Sequence, residues 1–169
     1  GFIDQAAEGG AGAAGLPILR KDFIVNSLQV RATASTSASA LLLIVKMTPS
    51  ADLLRGLREE AESYGLECVV GILDEDDLQL ARDSGAGLIQ VNARDFTDLS
   101  VDLDRPLKLA RREAARVKGE LWIAASGFSR PDQLLAAREA GFTAVLAGTA
   151  LMRGGRPDEA LARLTAGIY

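Results

Sequence analysis

Six short apolar runs, each followed by a stretch of helical character, divide the sequence from residue 16 onward. The runs cover residues 16–23, 40–46, 67–73, 87–93, 121–126 and 144–148. They are nearly continuous in apolar residues, which is typical of strands buried on both faces of a parallel sheet. Repetition of this kind predicts an α/β protein, either an open doubly wound sheet or a (β/α) barrel. The pattern alone does not separate the two architectures.

Helical periodicity is clearest in residues 51–64, where four apolar side chains fall on one face. Ser50 is expected to cap the start of this helix and Gly65 to end it. Ser129 is the expected cap of a later helix, with Pro131 in its first turn. Further helices are predicted at 27–37, 74–84, 104–117, 130–140 and 157–166.

Histidine is absent from the 169 residues, and Cys68 is the single cysteine. Within this chain, that excludes imidazole ligands for a metal and any nucleophile activated by histidine. Any proton transfer would therefore use lysine, aspartate, glutamate or tyrosine side chains, or Cys68. We expect Cys68 to be a small core residue. The four acids at 74–77 are interpreted as the charged first turn of a helix rather than as metal ligands.

The net charge and the hydropathy of the sequence bear on which partners the protein binds and where it is located. The net charge is −4, which argues against a nucleic-acid partner. No apolar run approaches the ~18 residues of a membrane span, and no signal peptide is recognisable. We expect a cytoplasmic protein with a small-molecule substrate. The Gly/Ala-rich residues 1–15 are expected to form a short helix or loop before a single domain over 16–169.

Charged side chains stand at the ends of the first two runs. In both architectures ligands bind at the carboxyl ends of the strands, and these ends carry Lys21, Phe23 and Lys46. A lysine in a buried strand is costly unless it is paired. The two lysines are therefore candidates either for chemistry or for ion pairs at the rim. The expected acidic partners are Asp22, Asp74 and Asp95.

The last two runs end in Ser126-Gly127 and Gly148-Thr149. Glycine lets backbone amides approach an anion, and the start of a helical turn favours negative charge. In barrels the loops after the last strands are a common phosphate position. We expect phosphate binding at Gly127, Gly148 and Thr149, with ordinary turn chemistry as the alternative.

The residues Leu-Arg-Lys-Asp-Phe-Ile at 19–24 resemble the end of the third barrel strand in the indole-3-glycerol phosphate synthase family. The resemblance continues in order along the chain. It runs through Leu-Leu-Ile-Val at 42–45, Asn-Ala-Arg-Asp-Phe at 92–96, Ser-Gly-Phe at 126–128 and Val-Leu-Ala-Gly-Thr-Ala-Leu-Met-Arg at 145–153. It implies a TIM-type (β/α) barrel that is incomplete here, with six units matching strands three to eight.

The resemblance also implies an activity and roles for particular residues. The family closes an indole ring on a phosphorylated, ribulose-like anthranilate, losing carbon dioxide and water, without a cofactor. By the same motifs, Lys21 resembles the general acid, and a second group resembles the substrate-positioning residues. That group is Asn92, Arg94 and Ser126. Gly127, Gly148 and Thr149, which are expected to bind phosphate, resemble the family's phosphate-binding residues.

The chain departs from the family at the places where carboxylates are expected. Gly71 and Ala125 replace glutamates, Leu73 replaces a histidine, and Lys46 stands where alanine is usual. We therefore predict a diverged, cofactor-free cyclase or lyase that has lost the catalytic glutamates and is repurposed to cyclise a natural-product intermediate. Gly71 and Ala125 would make room for its substrate.

In this hypothesis Lys21, Lys46 and Asn92 carry the chemistry, and Phe23 and Arg94 contact the substrate. A Lys46 desolvated beside Lys21 would be able to form a Schiff base. Two alternatives stay open. One is a genuine indole-3-glycerol phosphate synthase seen as a fragment, and the other is a non-catalytic protein that binds a phosphate ligand or a partner. Because an incomplete barrel leaves two strand edges open, we also expect a homodimer or closure by residues 1–15.

Overall fold

Six strands lie in one sheet in the order in which the chain forms them, β1-β2-β3-β4-β5-β6. The pairs β1–β2, β2–β3 and β5–β6 are parallel. A doubly wound sheet reverses its strand order at a switch point, so the sequential order identifies the TIM-type (β/α) arrangement. The strands are β1 (Leu19–Arg20), β2 (Ala40–Ile44), β3 (Glu67–Ile72), β4 (Leu88–Asn92), β5 (Leu121–Ala125) and β6 (Ala144–Leu146).

Helices follow the strands as the periodicity predicts. They are α1 (Ser27–Ala34), α2 (Ala51–Ser63), α3 (Glu75–Asp83), α4 (Asp104–Arg112), α5 (Pro131–Glu139), α6 (Thr149–Met152) and α7 (Pro157–Leu164). The computed structural model describes residues 15–48, 50–112, 117 and 119–168. None of the helices in that part of the chain combines the length and the apolar character that crossing a bilayer requires.

The described chain falls into two compact units. Unit 1 holds the described residues up to Ile72 together with Asp76–Leu88, and unit 2 holds Leu73–Glu75 and the described residues from Ile89 onward. The expected single domain over 16–169 stays a prediction, as does the homodimer. The helix or loop expected for residues 1–15 lies, up to residue 14, outside the described residues.

Unit 1 is built around two strands that are buried on both faces. All residues of β2 after Ala40, and all residues of β3 after Glu67, are buried, which confirms the inference from their continuous apolar runs. Helix α2 covers them with Leu54, Leu57 and Ala61. Its ends are as expected. The Ser50 Oγ accepts a hydrogen bond from the Leu53 N–H at 3.4 Å, and the helix stops at Gly65, whose φ is +79°.

Unit 2 packs around Trp122 on β5. The indole ring is fully buried, lies 6.1 Å from the ring of Phe142, and donates from Nε1 to the Glu120 carboxylate at 3.0 Å. Helix α5 begins one residue later than expected. Its N-cap is Arg130, not Ser129, because the Gln133 Oε1 accepts from the backbone N–H groups of both. Pro131 occupies the first turn, as predicted.

Two strands end earlier than their apolar runs, and in each case a lysine that the run includes lies after the strand instead of in it. Strand β1 ends at Arg20, so Lys21 and Phe23 lie in the loop after it. Strand β2 ends at Ile44, and Val45–Met47 forms a 3₁₀ turn. The Thr48 hydroxyl donates to the Ile44 carbonyl and closes this turn. Placing Lys46 inside a strand was therefore wrong.

Cys68 lies in β3 and is buried, as expected for a core thiol. Burial, with a smaller contribution from the negative charge of Glu62, raises its pKa to about 12. A raised pKa keeps the thiol protonated through neutral pH. We therefore expect native protein at pH 8 to react with iodoacetamide at least about tenfold more slowly than urea-unfolded protein. Equal rates, followed by mass spectrometry, would contradict the buried position.

Candidate functional site

The loop after β1 carries the first candidates, in unit 1. The Asp22 carboxylate accepts from the Phe23 backbone N–H at 2.8 Å and from the Arg20 guanidinium at 3.1 Å. These bonds, in that order of importance, lower the pKa of Asp22. Arg20 also donates to the Thr33 hydroxyl at 3.1 Å. Asp22 thus fixes the loop through Arg20, and the expected ion pair between Asp22 and Lys21 does not form.

Lys21 and Phe23 are exposed, Phe23 to 55%. Among the described residues Lys21 makes no ion pair within 4.0 Å. The Lys21 ammonium group is therefore open to solvent and to a ligand. It can donate a proton to a bound carbonyl or hydroxyl without first breaking a salt bridge.

Lys46 forms an ion pair with Asp77, one of the four acids expected to form the first turn of a helix. The Lys46 Nζ lies 2.9 Å from an Asp77 carboxylate oxygen, where the Asp77 side chain is 3% exposed and the Lys46 side chain 44%. Asp77 is the third residue of α3. The expectation of an ion pair is confirmed, but its partner is none of the three aspartates named for it. The acids at 74–77 are therefore not all solvated.

The strand register separates the two lysines. Arg20 pairs with Leu41, so continuing the register places Lys21 level with Leu42, four residues before Lys46. Together with its ion pair and its half-exposed stem, this position removes the conditions for a desolvated Lys46 beside Lys21. The Schiff-base hypothesis for Lys46 loses its physical basis.

Gly71 is the last but one residue of β3, paired with Ile44 and buried. It presents no side chain at the strand position where the family resemblance implies a glutamate. The corresponding position in unit 2 is Ala125, the last residue of β5, which is also fully buried. Both strand ends thus lack a carboxylate.

In unit 2, β4 ends at Asn92, which is 2% exposed. Its side-chain Oδ1 accepts a hydrogen bond from the Gln90 Nε2 at 3.0 Å. Gln90 is fully buried in the same strand. Nothing in the sequence distinguishes Gln90, because a single polar residue inside an apolar run forms no pattern of its own.

Arg94 sits at the base of a short antiparallel return after β4. Arg94 and Val101 form a β-bridge, and the Arg94 guanidinium donates to the Leu99 carbonyl at 2.7 Å. The Asp95 N–H donates to the Ser100 carbonyl at 2.9 Å. One of the five guanidinium N–H donors is used in this contact. These contacts tie the loop to itself, and within the part of the chain that the structure describes the Arg94 guanidinium makes no other hydrogen bond.

Ser126 and Gly127 follow β5 with left-handed backbones, at φ +73° and +83°. Such a backbone is uncommon for a residue other than glycine. A Cβ on Gly127 would lie 2.5 Å from the Val101 Cγ1 and 3.1 Å from the Leu103 Cδ2. Glycine at this position is thus required by the turn itself and by the returning loop after β4.

Gly148 has a different environment. It precedes α6 with φ −104°, which any residue adopts, and a Cβ there would meet no heavy atom within 4 Å. Neither the backbone nor packing against the described residues requires glycine here. Because Ala125 pairs with Leu146, the register places Gly148 level with Gly127. Thr149 is the first residue of α6 and is exposed. The helical turn expected at Gly148-Thr149 is confirmed.

The described residues contain no group of three acidic or cysteine side chains arranged to hold a metal ion. What unit 2 provides instead is a set of neutral and cationic donors. They are the Asn92 amide, the Arg94 guanidinium, the Ser126 hydroxyl and the backbone N–H groups at Gly148 and Thr149. This chemistry suits an anionic or carbonyl-bearing ligand.

Comparison with known proteins gives a consistent result. Residues 11–164 match a family model described as indole-3-glycerol phosphate synthase. The chain is 38% identical over 154 residues to the indole-3-glycerol phosphate synthase of Magnetococcus marinus, covering 90% of this chain and 55% of that protein. The enzyme of Parafrankia sp. is 39% identical over 158 residues, covering 93% and 58%. The chain thus spans little more than half the length of these relatives.

Solved structures add evidence on the fold alone. A crystal structure of 3-hexulose-6-phosphate synthase superposes with a TM-score of 0.77 at 17% identity, covering 97% of this chain and 78% of the other. A mandelate oxidase variant superposes with a TM-score of 0.71 at 18% identity, covering 98% and 59%. At these identities the likeness shows the fold alone.

Proposed function

The chain belongs to the indole-3-glycerol phosphate synthase family, and from that membership we propose that it acts as a diverged, cofactor-free cyclase or lyase. The observation that carries the proposal is the pair of strand ends at Gly71 and Ala125, where the family motif implies glutamates. By the family resemblance, carboxylates at these positions serve the parent ring closure. The protein would therefore act poorly on the parent substrate.

General acid–base groups contribute typically about 10²–10⁴-fold each to a rate. Removing two carboxylates leaves Lys21 as the acid in the proposed site. Its exposed ammonium supports this role, because it has no ion pair to lose among the residues that the structure describes. The substrate's carbonyl or hydroxyl oxygen would receive the proton.

The proposed ligand retains a phosphate. Gly148 supports this part most directly, because nothing in the turn or its packing calls for glycine there. Gly127 supports it less, since its backbone and the contact with Val101 already require glycine. Ser126 and Arg94 would orient the rest of the ligand from the neighbouring strand ends.

Gly71, in unit 1, and Ala125, in unit 2, each carry a smaller side chain than the carboxylate that the family motif places there. We propose that these changes suit a larger and more apolar intermediate than the parent substrate, such as a natural-product precursor that cyclises when its reactive groups are held together. Phe23, half exposed in the loop after β1, would provide an apolar contact. In this proposal Lys46 supports the site through Asp77 and does not touch the substrate.

The test is an assay of the protein that carries this chain on the family's substrate, beside the Magnetococcus marinus enzyme. We expect kcat/KM to be about 10²-fold or more below that of the reference enzyme. Restoring both carboxylates, as Gly71→Glu with Ala125→Glu, is expected to recover part of the difference. Gly56→Glu, on an exposed part of α2, is the control for added charge. A native rate within about tenfold of the reference contradicts the proposal.

A genuine indole-3-glycerol phosphate synthase is the second candidate, favoured by identities near 40% along about 90% of the chain. The same assay separates it, since it predicts the high native rate. A third outcome, phosphate binding by calorimetry without turnover of any tested substrate, favours a non-catalytic phosphate-binding protein.

A further inference from the structure

The loop between β1 and α1 carries Lys21, the proposed acid, and Phe23, the proposed apolar contact. Both side chains are exposed, and between Lys21 and Val25 only Ile24 is buried, at 1% exposure. Burial of apolar surface therefore anchors Ile24 but does little to fix the backbone before it. The conformation of the loop at Lys21 and Phe23 depends instead on hydrogen bonds.

Both backbone polar groups of Phe23 are bonded to side chains. Its N–H donates to the Asp22 carboxylate at 2.8 Å, and its carbonyl accepts from the Gln29 Nε2 at 2.8 Å. The same Gln29 amide reaches a second point, because its Oε1 accepts from the Val25 N–H at 2.9 Å. Gln29 thus ties the loop to helix α1 at two places.

The two contacts of Gln29 are opposite in kind, since one needs a donor and the other an acceptor. A primary amide supplies both groups, whereas a glutamate offers acceptors alone and a lysine offers donors alone. Asparagine carries the same amide on a side chain that is one methylene shorter. The loop therefore accounts for a glutamine at this position.

Capping of the helix does not explain both contacts. Gln29 is the third residue of α1, and Gln133 is the third residue of α5. The Gln133 Oε1 accepts from two backbone N–H groups just before its helix, at 2.8 and 3.0 Å. A glutamate caps a helix from this position equally well. The bond from the Gln29 Nε2 to the Phe23 carbonyl is therefore an addition to the cap.

We propose that Gln29 is a positioning residue, which holds the loop after β1 in the conformation that presents Lys21 to the substrate. It acts through the Phe23 carbonyl, two residues beyond Lys21. Reacting groups need to be held to within about 0.5 Å, and a loop without apolar anchoring at Lys21 depends on such a bond. The role rests on the proposed function, because it assumes that Lys21 is the acid. Gln29 itself does not touch the substrate.

Gln29→Glu separates the loop contact from the cap in the protein that carries this chain. The carboxylate keeps an acceptor for the Val25 N–H and suits the first turn of a helix, so we expect an unchanged melting temperature. It cannot donate to the Phe23 carbonyl. We therefore expect kcat on the family's substrate to fall about tenfold, the value of one hydrogen bond, with little change in KM.

Two further variants complete the comparison. Gln133→Glu makes the same chemical change where the glutamine acts as a cap, and it is expected to keep the wild-type kcat. Gln29→Met removes both contacts of Gln29 without adding a charge, and its kcat is expected to fall at least as far as that of Gln29→Glu. If Gln29 served the helix cap alone, Gln29→Glu would match Gln133→Glu in kcat.

Nuclear magnetic resonance supplies a readout that needs no substrate. The carbonyl ¹³C signal of Phe23 reports the bond from Gln29, and we expect it to shift in Gln29→Glu and Gln29→Met but not in Gln133→Glu. The Val25 N–H is expected to exchange with solvent faster in Gln29→Met alone, because that variant of Gln29 removes its acceptor.

Each outcome decides between the contact, the role and the function. An unmoved Phe23 signal in both Gln29 variants overturns the positioning role whatever the activity. A moved signal with an unchanged kcat, or with a loss that appears in KM alone, also overturns it, because the acid would not be displaced. A moved signal in a protein that turns over none of the tested substrates refutes the proposed function, and the role in the reaction falls with it, while the contact between Gln29 and the loop stands.

Discussion

Replacing Gly127 with alanine is expected to lower the free energy of unfolding by about 2–5 kcal/mol, because two separate costs meet at this residue. The left-handed φ of +83° costs an L-residue about 1–2 kcal/mol. The new Cβ would also lie 2.5 Å from the Val101 Cγ1. Relieving that overlap displaces the loop after β4, at about 1–3 kcal/mol. Urea unfolding followed by circular dichroism measures the loss.

Gly148→Ala is the matched control, because Gly148 lies level with Gly127 when the register of β5 and β6 is continued. Its φ of −104° suits alanine, and no heavy atom would lie within 4 Å of the Cβ. We expect its stability to stay within about 0.5 kcal/mol of the wild type. If Gly148 faces a phosphate, this variant nevertheless weakens the binding of inorganic phosphate, measured by calorimetry. Equal stability losses in the two glycine variants would contradict the distinction drawn between them.

The architecture could be predicted because each strand carries its own evidence. Residues 40–44 and 67–72 are continuous apolar runs, and the structure buries them on both faces. Helix α2 has a polar cap, an apolar face and a terminal glycine, all of which are local signals. What local signals do not give is the order of strands in the sheet. The family resemblance implied that order, and the structure confirms it.

The site was predicted less completely, because contacts between elements leave no mark on a local pattern. The partner of Lys46 lies on α3, 31 positions along the chain, among four acids that look alike in the sequence. Gln90 is a single polar residue in a strand, and its meaning depends on the amide two positions away. Strand β1 ends before its apolar run does, because the Asp22 carboxylate accepts a hydrogen bond from the Phe23 N–H and turns the chain. A pattern of apolar residues does not reveal such a turn.

Lys46→Met is expected to destabilise the protein by about 2 kcal/mol. Removing one partner of a fully buried ion pair costs about 3–5 kcal/mol, because the remaining charge is left in a poorly solvated place. The Asp77 carboxylate is buried, but the Lys46 side chain is 44% exposed, so solvent screens part of the interaction. A value near half of the buried-pair cost follows. Thermal and urea unfolding at pH 7 measure the difference.

Lys21→Met is the matched comparison, since it makes the same chemical change at an exposed lysine. We expect a stability change within about 0.5 kcal/mol and, if Lys21 is the acid, a loss of about 10²–10⁴-fold in kcat/KM. Lys46→Met is expected to lose stability but to keep a kcat/KM close to that of the wild type when assayed at a low temperature, where it is folded.

The double variant Lys46→Met with Asp77→Leu tests whether the unpaired charge on Asp77 causes the loss of stability. Removing both charges should restore most of the lost stability, because an apolar pair carries no desolvation cost. A double variant as unstable as Lys46→Met would show that packing around the Lys46 stem, not the charge on Asp77, accounts for the loss.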